Sequence, residues 1–111
     1  LWVVRNNGDV VEDIKGCKQS IGLTNNPSPF VTHEVELNSG DCVYVFTDGY
    51  SDQFGGPKGK KFKTRAFKEL LQSVCSEPMK HQKDIVENTL KDWKGNLEQV
   101  DDICVIGLKM N

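Results

Sequence analysis

The sequence predicts an α+β fold: mostly antiparallel strands, with two consecutive helices placed before a last strand. Three observations carry that expectation. Residues 42–46 and 104–108 are short apolar runs rich in Val, Ile and Cys or aromatic side chains, too short for helices and suited to strands. Between them, residues 64–76 and 77–94 carry apolar side chains at three-four spacing, the pattern of helices with one buried face. Clusters of turn-forming residues, Asn6-Asn7-Gly8-Asp9 and Asn38-Ser39-Gly40-Asp41, punctuate the strand candidates of the first half.

Size and composition bound the rest. A chain of 111 residues is one domain or part of one, and 37% hydrophobic with 27% charged residues suits a modest folded core. The net charge of -2 gives no bulk electrostatic case for nucleic acid or a membrane surface, and no apolar run has the length of a transmembrane helix. Cys17, Cys42, Cys75 and Cys104 are scattered without a Cys-x-x-Cys pair, and there are only two histidines, which argues against a zinc site. Cys42 and Cys104 lie in apolar runs and read as small core residues, with reduced thiols and a cytoplasmic compartment as the expectation. The chain opens directly on a strand pattern without a methionine, so it is expected to be a piece of a longer protein.

In chain order, residues 1–5 form the first strand candidate, and residues 6–9 turn it into a return strand over 10–14. Residues 16–21 are a weaker candidate. Asn25-Asn26-Pro27-Ser28-Pro29 is a loop, because two close prolines exclude a regular ladder. Residues 30–37 alternate polar and apolar, predicting a half-buried strand with Val31, Val35 and Leu37 inward. His33 shares that side, as a sheet-edge or core histidine rather than a ligand. Residues 38–41 then turn the chain into the apolar run 42–46 as an antiparallel pair, and that run is expected to be buried on both faces. Residues 53–63 are rich in Gly and Lys and read as a mobile surface loop. Thr64 is a candidate cap for the first helix, with Phe67, Leu70, Leu71 and Val74 as its buried face. Glu77-Pro78 opens the second helix, lined by Ile85, Thr89 and Trp93 with Val86 and Leu90 beside them, and Gly95-Asn96 ends it.

Carboxylates stand at two of the strand ends. Asp48-Gly49 follows the apolar run 42–46, with Asp52 four residues on, and Asp101-Asp102 precedes the run 104–108. The Asp-Gly pair is a common turn signal, and acidic pairs before strands are often solvated turns. If the two strands are antiparallel neighbours, however, the corners meet at one sheet edge. Converging carboxylates repel unless a cation neutralises them, and Mg2+ or Mn2+ is the natural ion for an all-oxygen site. Such ions acidify a water and neutralise phosphate oxygens, which suits attack on a phosphate ester. Lys58, Lys60, Lys61, Lys63, Arg65 and Lys68 follow with no acidic residue between them. They read either as a solvated loop and helix start or as an electropositive rim beside Asp48 that helps to hold an anionic phosphoprotein.

These residues also resemble a family. Ser39-Gly40-Asp41, the apolar run, Thr47-Asp48-Gly49-Tyr50-Ser51-Asp52, Phe62, the two helices, Trp93 and Gln99-Val100-Asp101-Asp102-Ile103 are similar, in order, to the C-terminal half of the SpoIIE/RsbU-type phosphatases. These are a bacterial branch of the PPM, or metal-dependent, protein serine/threonine phosphatases. The resemblance covers nearly the whole chain. It implies part of an α-β-β-α sandwich, whose N-terminal half is absent, with a site for two Mn2+ or Mg2+ ions in the complete domain. Asp48 and Asp101 match metal-binding aspartates, Asp52 matches a position that in some members helps to hold a further ion, and Gly49 is a candidate backbone ligand. Asp102 falls where related enzymes often have Asn and is a supporting residue. Cys104 stands in place of a common Thr.

Three functional readings follow. In the first, the parent protein hydrolyses phosphoserine or phosphothreonine on a regulatory protein of anti-anti-sigma type, using a metal-activated water. An upstream sensor or repeat domain is implied, with cytoplasmic placement or tethering to a membrane sensor. The chain alone is expected to be inactive and, with strand edges and apolar faces exposed, to dimerise. No Cys-x5-Arg loop accompanies any of the cysteines, so no thiol nucleophile is expected. In the second reading the chain is a non-catalytic phosphatase-like module that binds a phosphoprotein or transmits a signal. In the third it is an α+β interaction domain whose aspartates are turns.

Overall fold

A computed structural model describes all 111 residues. Four strands form one antiparallel sheet: β1 (Trp2–Arg5), β2 (Val10–Asp13), β3 (Cys42–Phe46) and β6 (Val105–Lys109), in the order β2-β1-β3-β6. β1 and β2 are joined by a tight 3-10 turn in which Asn6, Asn7 and Gly8 all take positive φ. Asn and Gly tolerate that conformation best, which is why this cluster makes the turn. β3 lies between β1 and β6, with Val43 opposite both Val3 and Leu108, and Phe46 opposite Val105.

Between β3 and β6 the chain makes α1 (Gly49–Asp52), the two-residue strands β4 (Phe54–Gly55) and β5 (Lys60–Lys61), α2 (Thr64–Val74) and α3 (Met79–Lys94). Alternation along the strands turns Trp2, Val4, Cys42 and Tyr44 to one face, where they form a buried cluster with Tyr50, Phe67, Leu71 and Cys75. Aromatic rings knit this cluster: Trp2 and Phe46 lie 4.4 Å apart, Phe46 meets Phe67 edge-on at 5.1 Å, and Tyr50 stacks on Phe67 at 4.5 Å. Each such side chain contributes about 1.5–3 kcal/mol by leaving water.

Polar pins fix the helices to this layer. The Tyr44 hydroxyl donates to Gln82 Oε1 at 2.5 Å, and Gln82 Nε2 donates to the carbonyls of Cys75 and Glu77. The Tyr50 hydroxyl donates to the Val86 carbonyl at 2.7 Å. Burial holds both phenols above the usual tyrosine range, and burial followed by the neighbouring Cys42 pushes the Cys75 thiol up to about 12. These groups stay neutral and structural. At the start of β3 the buried Asp41 is paired with Arg5 at 2.8 Å and accepts from the Asn38 amide. Arg5 also holds Glu12, the leading cause of its raised pKa.

Several expectations are corrected. Residues 30–37 form no strand, and Val31 is 63% exposed. β3 pairs with β1 on one side and β6 on the other, so the expected hairpin partner of residues 30–37 has no free edge. Residues 38–41 do turn, with Asp41 N bonded to Asn38 O, yet they do not join a hairpin. Residues 16–21 form no strand either. β3 is buried on one face only, because Val45 on the other is exposed. That second face is apolar, with Ile106 54% and Leu108 59% exposed.

Residues 53–63 are not a free loop. β4 and β5 pair, Phe62 N donates to Gln53 O and Gly56 N donates to Trp93 O. Thr64 is the first helical residue rather than the cap; Lys63, at φ 79, precedes it without a side-chain capping bond. In α3 the inward face is Gln82, Val86 and Leu90, while Ile85 is exposed. Cys104 is exposed rather than core.

Candidate metal centre

The site is built where the β3–β6 ladder ends. Phe46 opposite Val105 is its last pair, after which Thr47 N donates to the Cys104 carbonyl at 3.0 Å. Asp48 therefore leaves β3 at the level where the approach to β6 begins. The single turn of α1 follows at once: Asp52 N donates to Asp48 O at 3.0 Å, which returns Asp52 to the side of Asp48. Gly49 is required here, since a Cβ would fall 2.2 Å from the Asp102 carbonyl oxygen.

From the other direction, Gln99-Val100-Asp101-Asp102 arrives from the end of α3. The Gln99 side chain donates to the Asp101 carbonyl, and the Asp102 amide donates to Asp101 Oδ1 at 2.7 Å, which fixes the Asp101 carboxylate. The outcome is convergence: one ligand oxygen from each of Asp48, Asp52 and Asp101 lies within 4.8 Å of the others. Asp48 and Asp101 are exposed and Asp52 is half-buried. Asp102 is outside this group; its visible contribution is its carbonyl, which accepts from Thr47 Oγ1 at 2.8 Å.

The donor set fits a hard cation. All three donors are carboxylates, and oxygen ligands at about 2.0–2.6 Å from an ion are spaced on this scale. Lys61 Nζ stands 3.6 Å from Asp52 Oδ1 and offsets part of the negative charge. Of the other basic residues, Lys58, Lys60 and Lys63 are exposed on or beside the β4–β5 hairpin, and Arg65 pairs with Glu69 at 3.1 Å. The hairpin thus brings one lysine, Lys61, to the carboxylates.

Two contributors have no signature in composition or periodicity. Thr47 links the two strand ends through its hydroxyl as well as its amide. Gln53, fully buried, donates to the Glu98 carbonyl at 2.9 Å, while its own carbonyl accepts from Trp93 Nε1. It thereby ties the Asp52 turn to the segment that leads to Asp101. A polar residue directly after an acidic turn is too ordinary a signal to have singled it out.

The chain is thus an antiparallel sheet with its helices packed on one face and three carboxylates gathered at the β3–β6 end. The family model described as Stage II sporulation protein E (SpoIIE) matches residues 1–111, and the chain belongs to that family. Among solved structures it is similar to the SiaA-PP2C domain of Pseudomonas aeruginosa, at 29% identity and a TM-score of 0.83. That match covers 99% of this chain and 42% of the other, so this chain spans less than half of that structure's length. No curated protein matches the chain.

Proposed function

We propose that the protein containing this chain is a metal-dependent protein serine/threonine phosphatase acting on a phosphorylated regulatory protein. The observation that carries the reading is the approach of Asp48, Asp52 and Asp101 to within 4.8 Å from segments about fifty residues apart. Membership of the SpoIIE family and likeness to a PP2C domain support the same reading.

In it, Asp48 and Asp101 hold Mn2+ or Mg2+, with Asp52 beside them. A divalent cation held there supplies positive charge to the non-bridging oxygens of the ester and acidity to a water. The chain's own residues orient the reaction. The carboxylates fix where the phosphoryl group sits, while Lys61 and the rim lysines draw an anionic protein toward that end of the sheet. Hydrolysis breaks the bond between phosphorus and the serine or threonine oxygen, forms one to the water oxygen, and returns a proton to the side chain. A second ion and the remaining ligands belong to the rest of the domain in this proposal. So do the covering of the exposed face at Ile106 and Leu108 and the attachment of an upstream sensor or repeat domain. The substrate class in this proposal is a switch protein of anti-anti-sigma type, met in the cytoplasm.

The test is Mn2+-dependent release of phosphate from a phosphoprotein by the full-length protein and by its Asp48→Asn variant. Loss of at least a hundredfold in the variant supports the enzyme. Activity that survives unchanged rejects the site. A full-length protein that binds the phosphoprotein without turnover in any divalent cation makes the chain a phosphatase-like binding module instead.

A further inference from the structure

We propose that Thr47 is a positioning residue for the carboxylate site, acting through its hydroxyl rather than its bulk. The inference rests on the metal-site reading above and goes beyond it. Thr47 sits one residue before Asp48, at the point where the backbone ladder between β3 and β6 gives out. Its amide makes a last ladder bond to the Cys104 carbonyl at 3.0 Å. Its hydroxyl then takes over from the backbone: Oγ1 accepts from the Cys104 amide at 3.0 Å and donates to the Asp102 carbonyl at 2.8 Å. One side chain thus satisfies a donor and an acceptor of the incoming segment after it has bent away from the sheet.

The Asp102 carbonyl is held from two sides. Thr47 binds it, and Gly49 backs onto it so closely that a Cβ would fall 2.2 Å away. Asp102 directly follows Asp101, whose Oδ1 is bonded to the Asp102 amide. Only the backbone torsions of Asp102 separate that amide from the carbonyl, so holding the carbonyl narrows where the amide and the Asp101 carboxylate bonded to it can lie. The bracket constrains the distance between Asp48, just past the end of β3, and Asp101, in the segment that leads into β6. Thr47 is itself exposed, so water can replace either bond if the hydroxyl is lost. The expected cost in global stability is correspondingly small, while the spacing of the carboxylates loses its constraint. Outer partners of metal ligands commonly change affinity by about ten- to a hundredfold, and the lower end is expected here because Thr47 acts through backbone.

The test measures Mn2+ binding to the full-length protein by electron paramagnetic resonance, together with thermal melting, for the wild type and for Thr47→Val, Thr47→Ser and Asp48→Asn. Thr47→Val is expected to weaken Mn2+ binding about tenfold with little change in melting, and Thr47→Ser, which keeps the hydroxyl, to stay within about twofold of wild type. Unchanged Mn2+ affinity in a folded Thr47→Val overturns the proposal. Should Thr47→Val fail to fold, Thr47→Ala takes its place: unchanged Mn2+ affinity overturns the proposal, and a loss of about tenfold that Thr47→Ser does not share sustains it. If Asp48→Asn leaves Mn2+ binding intact, it is the metal-site reading that fails, and that result is distinct from a failure of Thr47 alone.

Discussion

Lys61 reaches from the β4–β5 hairpin to Asp52, with Nζ 3.6 Å from Oδ1, and places a side-chain ammonium beside the convergent carboxylates. Both partners reach solvent, with 50% and 39% of their side chains accessible, so the pair contributes at most about 1 kcal/mol. Its interest is competitive, because the same carboxylate cannot serve Lys61 and a divalent cation equally.

Replacing Lys61 by Met should therefore raise Mn2+ affinity of the full-length protein by no more than about fivefold, the equivalent of that pair energy. Isothermal titration at two salt concentrations reads this directly, and the difference should shrink at high salt. A variant that binds Mn2+ less well would show that Lys61 holds Asp52 in place instead.

Gly55 backs onto the C-terminal end of α3. A Cβ there would fall 1.9 Å from the Trp93 carbonyl oxygen, which is backbone and cannot step aside cheaply. Gly55→Ala should destabilise the fold by about 1–3 kcal/mol, the usual cost of overpacking. A urea melt checks it, and a wild-type midpoint would mean that the hairpin can lift off α3.

The buried pair Tyr44–Gln82 gives a second stability prediction. Tyr44→Phe removes the donor to Gln82 Oε1 and leaves that oxygen buried without it. A loss of about 1–3 kcal/mol follows, from the cost of an unsatisfied buried acceptor. A neutral result would require Gln82 to find another donor.

Thiol chemistry separates surface from core. Cys17 and Cys104 are exposed while Cys42 and Cys75 are buried, so a disulfide reagent should titrate two thiols in the native chain and four in denaturant. The raised Cys75 value also fixes a sign. Its stabilising contribution is complete below the ordinary thiol value of 9.0 and is lost as pH climbs toward about 12, because the unfolded chain sheds the proton first. Tyr44 and Tyr50 act in the same direction. Circular dichroism against pH should show alkaline unfolding beginning above pH 9, and a protein equally stable at pH 11 would contradict this burial.

The apolar outer face of the sheet makes the last prediction. Val45, Ile106 and Leu108 are exposed on adjacent strands, so the 111-residue chain in isolation should self-associate with rising concentration. Ile106→Glu should shift it toward monomer in sedimentation velocity. A wild-type chain that stays monomeric at millimolar concentration would refute the expectation.

Much of this architecture is readable in the sequence. The runs 42–46 and 104–108, the turn residues 6–9 and the two apolar helix stripes each carry a local signal strong enough to survive packing. The alternation of residues 30–37 is as clean a local signal, yet the partner it implied is taken, because both edges of β3 are paired, with β1 and with β6. The α3 stripe fails in part for a related reason. Periodicity finds an apolar face, but the buried hydrogen bonds of Gln82 turn the helix so that a polar residue faces the core and Ile85 faces water.

What the amino-acid sequence determined by itself was the set of elements and the carboxylates at their ends: Asp48 after one strand, and Asp101 before another. It could not determine that these ends meet. That was decided by the antiparallel register of β3 against β6, which sets Phe46 opposite Val105, and by the α1 turn that brings Asp52 back to Asp48. Convergence across some fifty residues depends on backbone pairing and on contacts such as Thr47 to Asp102, and these exist only once the chain has folded.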